Sequence, residues 1–314
     1  MHLTACFSFT YSKPYIENES STKMQNSGGL RSAFPFLLPA LVALFLVGLV
    51  PLAVVFFYSL HETFGGNMFF WVGGQWFYRV LSSQEFYAAL LRSLSFSVLI
   101  LSIQIPLGIF IALKMPRSGT LVAAALILLT IPMLTPKIVV GYLWKLMVQP
   151  ENGLITQALA EVGVMLDMNN VFWTWTILIL MDLWHWTGLV VLLCYARLRT
   201  IPDAQYQAAS IDGASRWSVF WNIELPKMRL VLAIAFLLRF MDSFTMYTEA
   251  YVVTRGGPGV STVFLSHELV QTGLIQFDLG EAGAMAVIYF VIVVLISALF
   301  YRMILPSPLK NTGK

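Results

Sequence analysis

The chain has 314 residues, of which 58% are hydrophobic and only 11% are charged, with a mean hydropathy of +0.76. Water-soluble domains carry about a quarter charged residues, so a soluble globular protein is excluded and the chain belongs in a membrane. A formal net charge of +3 is too small to argue for nucleic acid.

In chain order, residues 1–33 come first and are mostly polar. No basic stretch followed by an apolar core opens them, so they do not form a signal peptide. Their composition predicts a disordered cytoplasmic tail, and Met24 inside it offers a second translation start. Six apolar runs follow, near 34–60, 93–114, 120–148, 171–194, 230–253 and 282–304. Each reaches the roughly 20 helical residues that cross a bilayer core. Backbone groups in lipid must be satisfied within their own segment, and these runs lack the alternation of a barrel strand. The expected fold is therefore an all-α integral membrane protein with six transmembrane helices. One domain spans 34–304, and a second cytoplasmic tail covers 305–314. Pro51, Pro106, Pro132 and Pro136 fall inside the runs and predict kinks.

Orientation follows from Lys and Arg, which concentrate on the cytoplasmic side of membrane proteins. With the N-terminus inside, thirteen of the 19 fall on inner segments, among them Lys114, Arg117, Arg197, Arg199, Arg216, Lys227 and Arg229. Three lie outside (Arg79, Arg92, Arg255) and three within the runs (Lys137, Lys145, Arg239). Both termini and the segment at about 195–229 are accordingly cytoplasmic.

The first outer segment, 61–92, carries Gly65-Gly66, Gly73-Gly74 and many aromatics, which suit an interfacial belt or a contact surface for an external partner. The second, 149–170, holds Glu151, Glu161 and Asp167 without a cation. The third, 254–281, opens on Thr254-Arg255-Gly256-Gly257-Pro258-Gly259 and predicts a turn-rich loop.

The long inner segment is the most informative. Pro202 stands where a helix starts, Ala208 and Ala209 allow close approach, and Asp212-Gly213 supplies a turn. Trp217, Phe220, Trp221 and Ile223 then recur at helical spacing up to Leu225-Pro226. This predicts a helix-turn-helix held at the membrane surface. Gln207-Ala208-Ala209-x-x-Asp212-Gly213-Ala214, followed by Phe220, Ile223 and Leu225-Pro226, resembles the "EAA" loop of ATP-binding-cassette (ABC) importer permeases. The leading Glu of that motif is Gln207 here, which keeps hydrogen-bonding capacity but no charge. Ile131-Pro132, Pro136, Trp144-Lys145 and Gly153-Leu154 resemble carbohydrate-uptake permeases. So does Thr254-x-Gly256-Gly257-Pro258-x-x-Ser261-Thr262 with Phe277-Asp278-Leu279-Gly280. Met241-Asp242-Ser243-Phe244 to Tyr247-Thr248-Glu249 is similar to glycerol and small-polyol permeases.

The resemblance implies a permease subunit in a bacterial cytoplasmic (inner) membrane, importing a sugar, glycerol or other polyol by alternating access. It implies a second permease subunit, two cytoplasmic ATPase subunits that receive the loop, and an extracytoplasmic solute-binding protein facing Gly256, Gly257 and Pro258.

Ionisable residues inside the runs are the candidate substrate pathway, because each is costly unless paired or wetted. Asp182-Leu183-Trp184-His185-Trp186 places Asp182 and His185 three residues apart on one helix face. They are read either as a packing pair or, with Trp184, as a polyol site where rings stack on C–H faces and the acid accepts hydroxyls. Arg239 and Asp242 repeat the spacing and read first as a pair fixing helix register. Tyr247 lies nearby, and Lys137 follows the Pro132–Pro136 break. Under the pathway reading, Asp182→Ala weakens uptake while the complex stays assembled.

No Gly-x-x-x-x-Gly-Lys-Ser/Thr loop, zinc motif or nucleophile elbow occurs in these residues, so no cofactor or metal site is expected and ATP hydrolysis is assigned to separate subunits. Cys6 and Cys194 have no redox or ligand spacing. A stand-alone secondary transporter or channel is the alternative, but the two halves show no hydropathy repeat of the kind many such transporters carry.

Overall fold

The computed structural model describes residues 35, 37–64 and 68–304, so the expectations for the two tails, Met24, Cys6 and Gly65-Gly66 lie outside the described residues. The chain divides into two units, 1–54 and 55–314. In the first, the described chain is helical from Leu37, with a π-helical stretch at Phe45–Leu49.

The second unit begins within the end of that helix (α1, Leu37–Tyr58). Next come β1 (His61–Phe64), β2 (Met68–Trp71) and α2 (Gln75–Ser82), then the long α3 (Gln84–Lys114). α4 (Thr120–Leu134) and α5 (Lys137–Met147) precede α6 (Leu154–Glu161) and α7 (Val171–Arg199). α8 (Asp203–Ile211) leads into α9 (Arg216–Phe244), which includes a π-helical stretch at Phe220–Glu224. α10 (Thr248–Thr254), α11 (Leu265–Val270) and α12 (Leu279–Ile304) complete the order. Among the described residues, four helices are long and apolar enough to cross a membrane, and six spans result if each of the two bent pairs is one crossing.

Several boundaries differ from the sequence expectation. The second span begins at Gln84 rather than 93, because Ser83 caps it by accepting from Phe86 N. The third is two helices meeting at 96°. Pro132 lies in the last turn of α4, and Thr135 and Pro136 are extended, the conformation favoured before a proline and compatible with one. The second helix of the inner segment does not stop at Leu225-Pro226. Pro226 directly follows the π-helical stretch Phe220–Glu224, where the regular i to i−4 bonding is already interrupted, and the helix runs on into the fifth span. The first outer segment contains the antiparallel β1–β2 pair, with His61 opposite Trp71, and the third contains α11 within the expected loop.

α7 packs on α3, α4 and α9. Between helices in lipid, small residues allow the close approach that hydrophobic transfer does not drive. A Cβ on Gly188 of α7 would overlap the Leu129 carbonyl of α4, and one on Gly108 of α3 would come within 2.5 Å of Val190 Cγ1. Gly141 likewise seats α5 against Val252 of α10. One apolar cluster (Phe96, Ile177, Met181, Phe264) lies toward the outer ends. A second (Val122, Val190, Cys194, Met228) lies toward the cation-rich ends.

Candidate functional site

Between those clusters is a knot of charge. Arg239 of α9 is 0% exposed, so its guanidinium needs partners on every side. It donates to Gln104 Oε1 of α3 at 2.6 Å and to Asp242 Oδ2 one turn on at 2.7 Å, and it pairs with Asp182 of α7. The Gln104 amide donates to the Asp182 carbonyl at 3.5 Å. Lys137, the first residue after the α4–α5 break, reaches Asp242 Oδ1 at 2.7 Å. The Trp186 ring lies 5.0 Å from the Arg239 guanidinium and 5.9 Å from Lys137 Nζ, within cation–π range. Four helices thus converge on two cations and two carboxylates. The Arg239 and Asp182 side chains are sealed at 0% and 6% exposure, whereas Asp242 and Lys137 open to 25% and 38%.

The structure redistributes the sequence candidates. Lys137, Asp182 and Asp242 come together, and the Arg239–Asp242 pairing is present. Asp182 pairs with Arg239 rather than with His185. His185 faces Glu249 of α10 at 4.0 Å, beyond hydrogen-bond range, and His185 Nε2 and Glu249 Oε2 have no partner among the described residues. Trp184 is on the opposite side of α7, in an apolar recess of about 910 Å³ with Pro132, Trp144 and Leu180. Trp186 is the aromatic at the charges. At about 100° per residue, position 186 returns to the face of 182 while 184 points away, a signal already present in the spacing. Tyr247 stacks on Tyr251 at 5.4 Å and meets His267 edge-on.

On the cation-rich side, α8 starts directly after Pro202, which caps it in an extended conformation. Gly213 has φ +68°, a conformation that costs other residues, and turns the chain into α9. Ala214 N closes the turn on Ala209 O at 2.9 Å. Gln207, Ala208, Asp212, Gly213 and Ala214 are exposed, together with Ile211 at 86%, while Ala209 is buried. Phe220 packs inward against the second apolar cluster, and Leu225 and Pro226 resume the α-helix of α9 after its π-helical stretch.

The outer loop is pinned rather than free. Trp175 Nε1 donates to Ser261 O at 3.1 Å, and Arg92 Nε to Val263 O at 2.7 Å. Ser93 Oγ accepts from Leu265 N at 2.8 Å. Within the loop, Thr254 and Thr262 hydroxyls meet at 2.7 Å, and Thr262 donates to Gly257 O at 2.9 Å. Gly256 is buried, Gly257 and Pro258 are half-buried, and the exposed tip is Gly259 and Val260.

The model of the binding-protein-dependent transport system inner membrane component matches residues 104–309, which include the charge knot, the α8 turn and the outer loop. The chain belongs to this family. As an inner membrane component of a binding-protein-dependent system, it is a multi-pass permease that works with a solute-binding protein. The trehalose/maltose transport system permease protein MalF of Thermococcus litoralis is 32% identical over 300 residues, covering 91% of this chain and 98% of that protein. The arabinooligosaccharides transport system permease protein AraP of Bacillus subtilis is 28% identical over 283 residues, 87% of this chain and 89% of that protein. A bacterial ABC transporter that imports the acidic polysaccharide alginate shares the permease fold. Its TM-score is 0.74 at 20% identity, over 88% of this chain and 97% of that chain.

Proposed function

We propose that this permease is the sugar-conducting subunit of an ATP-driven importer that works by alternating access. The observation that carries the reading is the half-exposed Lys137–Asp242 pair beside Trp186, a polar opening at a broken helix in an otherwise apolar bundle. Broken spans beside polar residues line pathways in transporters, and an aromatic ring beside a carboxylate suits a polyhydroxylated ligand. The sugars and oligosaccharides named for the relatives support this class rather than glycerol. Asp242 neutralises Lys137 at the opening and Asp182 neutralises the sealed Arg239 behind it, which favours an uncharged sugar.

The permease domain is 34–304, with a coupling loop at about 195–229. A second permease subunit supplies the facing wall, and two separate ATPase subunits hydrolyse ATP. The exposed arc Gln207, Ala208, Asp212, Gly213 and Ala214 is the surface those ATPases grip. Gln207 meets them by hydrogen bonding, without the charge of a Glu. The solute-binding protein contacts the outer loop at its exposed tip, Gly259 and Val260, with Gly257 and Pro258 beside it and Gly256 buried beneath. Asp182, His185, Trp184 and Tyr247 act through helix packing more than by touching the sugar.

The test is uptake by the reconstituted complex, comparing labelled trehalose, an arabinooligosaccharide and glycerol. ATP-dependent accumulation of a saccharide with no glycerol uptake supports the reading. ATP-independent flux through this chain alone overturns it in favour of a stand-alone transporter.

A further inference from the structure

Tyr206, on the inward side of α8, is gripped from two directions. The Arg117 guanidinium covers its ring at 4.4 Å, and its hydroxyl donates to Glu224 Oε1 at 3.3 Å. Glu224 ends the π-helical stretch of α9 and is only 2% exposed. Arg216 Nη1 reaches the same Oε1 at 3.3 Å, and Oε2 has no partner among the described residues. A carboxylate withdrawn from water with an unfilled acceptor is unfavourable, and nothing in packing the base of α9 calls for one there. Its two donors come from opposite sides of the Gly213 turn. Arg117 also pairs with Asp203 of α8, while the Tyr195 hydroxyl donates to Pro116 O at 2.9 Å and Arg117 O at 3.2 Å. The lock therefore extends to the linker between α3 and α4.

Without this contact the turn is a natural hinge. Residues 210–217 are all exposed, and the turn itself is held only by local backbone bonds, Gly213 N to Ser210 O at 3.2 Å and Ala214 N to Ala209 O at 2.9 Å. We infer that Glu224 is a positioning residue. With Tyr206 it fastens α8 to the base of α9, so that a displacement of α8 reaches the fifth span as one rigid movement instead of being absorbed at Gly213. The inference rests on the reading that α8 is the ATPase-facing element.

The experiment is a pair of spin labels at Ser210 and Arg229, with Cys6 and Cys194 replaced by serine, in the assembled importer with its ATPases. Inter-label distances are read without nucleotide and after trapping with ATP and vanadate. The native side chains should give one narrow distance, the same in both states. Glu224→Ala and Tyr206→Phe should each add a second distance, with ATP hydrolysis surviving while uptake per ATP falls. Glu224→Gln, which still accepts from Tyr206, should restore the single distance. A distance that changes between states with Glu224 present overturns the inference, as does an unchanged distribution in both Glu224→Ala and Tyr206→Phe. Co-purification of the ATPases with Ala208→Arg is scored separately. If they stay bound and coupled, the docking reading fails, while the distances still report on the lock.

Discussion

Lys137 and Asp242, 105 positions apart, join through a 2.7 Å ion pair that ties the start of α5 to the last turn of α9. Both residues flank interruptions: the first follows the extended Thr135-Pro136, and the second precedes the break between Phe244 and Thr248. Two broken spans are therefore held together where their backbones leave the helix, and the pair still meets solvent.

Lys137→Met should change transport more than stability. The pair is 38% and 25% exposed, and ion pairs of that kind contribute about 0–1 kcal/mol. Melting of the purified complex should move little, while the KM for sugar uptake rises. A large loss of melting temperature with unchanged KM would assign Lys137 a purely structural part.

Asp182→Ala should behave oppositely, reversing the expectation of an assembled but weakened complex. It strips a partner from a fully buried guanidinium, a loss on the order of 3–5 kcal/mol for buried pairs. The monodisperse fraction on size-exclusion chromatography should collapse. Asp182→Leu combined with Arg239→Met should recover part of it.

Trp186→Ala and Trp184→Ala should separate. Trp186 faces the two cations and Trp184 the apolar recess, so only the first should raise the KM for the saccharide. Equal effects, read as uptake kinetics at matched protein levels, would dismiss the placement of the opening at Trp186.

Gly188→Val should block folding where Gly74→Ala does not. A Cβ at 188 runs into the Leu129 backbone, which cannot rotate away, whereas nothing lies within 4 Å of one at 74. Overpacking costs typically about 1–3 kcal/mol, readable as expression of membrane-inserted protein.

The features legible in the sequence were the local ones. Apolar length placed the spans. Pro202 and Asp212-Gly213 placed α8 and its turn, because proline and glycine act on their own backbone. The partner of Asp182 was not legible. Arg239 lies 57 positions away on another helix, and nothing in either local stretch selects it over His185. Pro132 and Pro136 announced a break but not its 96° angle, which depends on how α4 and α5 seat against α7 and α10. Trp186 is readable by helical phase, which returns it to the face of Asp182 and turns Trp184 away. The length of α9 is not legible because Leu225-Pro226 reads as a stop, whereas the π-helical stretch before it lets the helix continue past the proline.

The unbroken run of α9 from Arg216 to Phe244 sets an angular constraint between the two ends of the molecule's machinery. Glu224 at the base and Arg239 at the charge knot sit on one rod, so the azimuth of one dictates that of the other. Adding a single residue between them would turn everything beyond it by about 100°, carrying Arg239 away from Asp182 and Gln104. The same addition in the Gly213 turn would leave that azimuth untouched. An added residue between Glu224 and Arg239 should therefore break the charge knot, whereas one in the Gly213 turn should spare it.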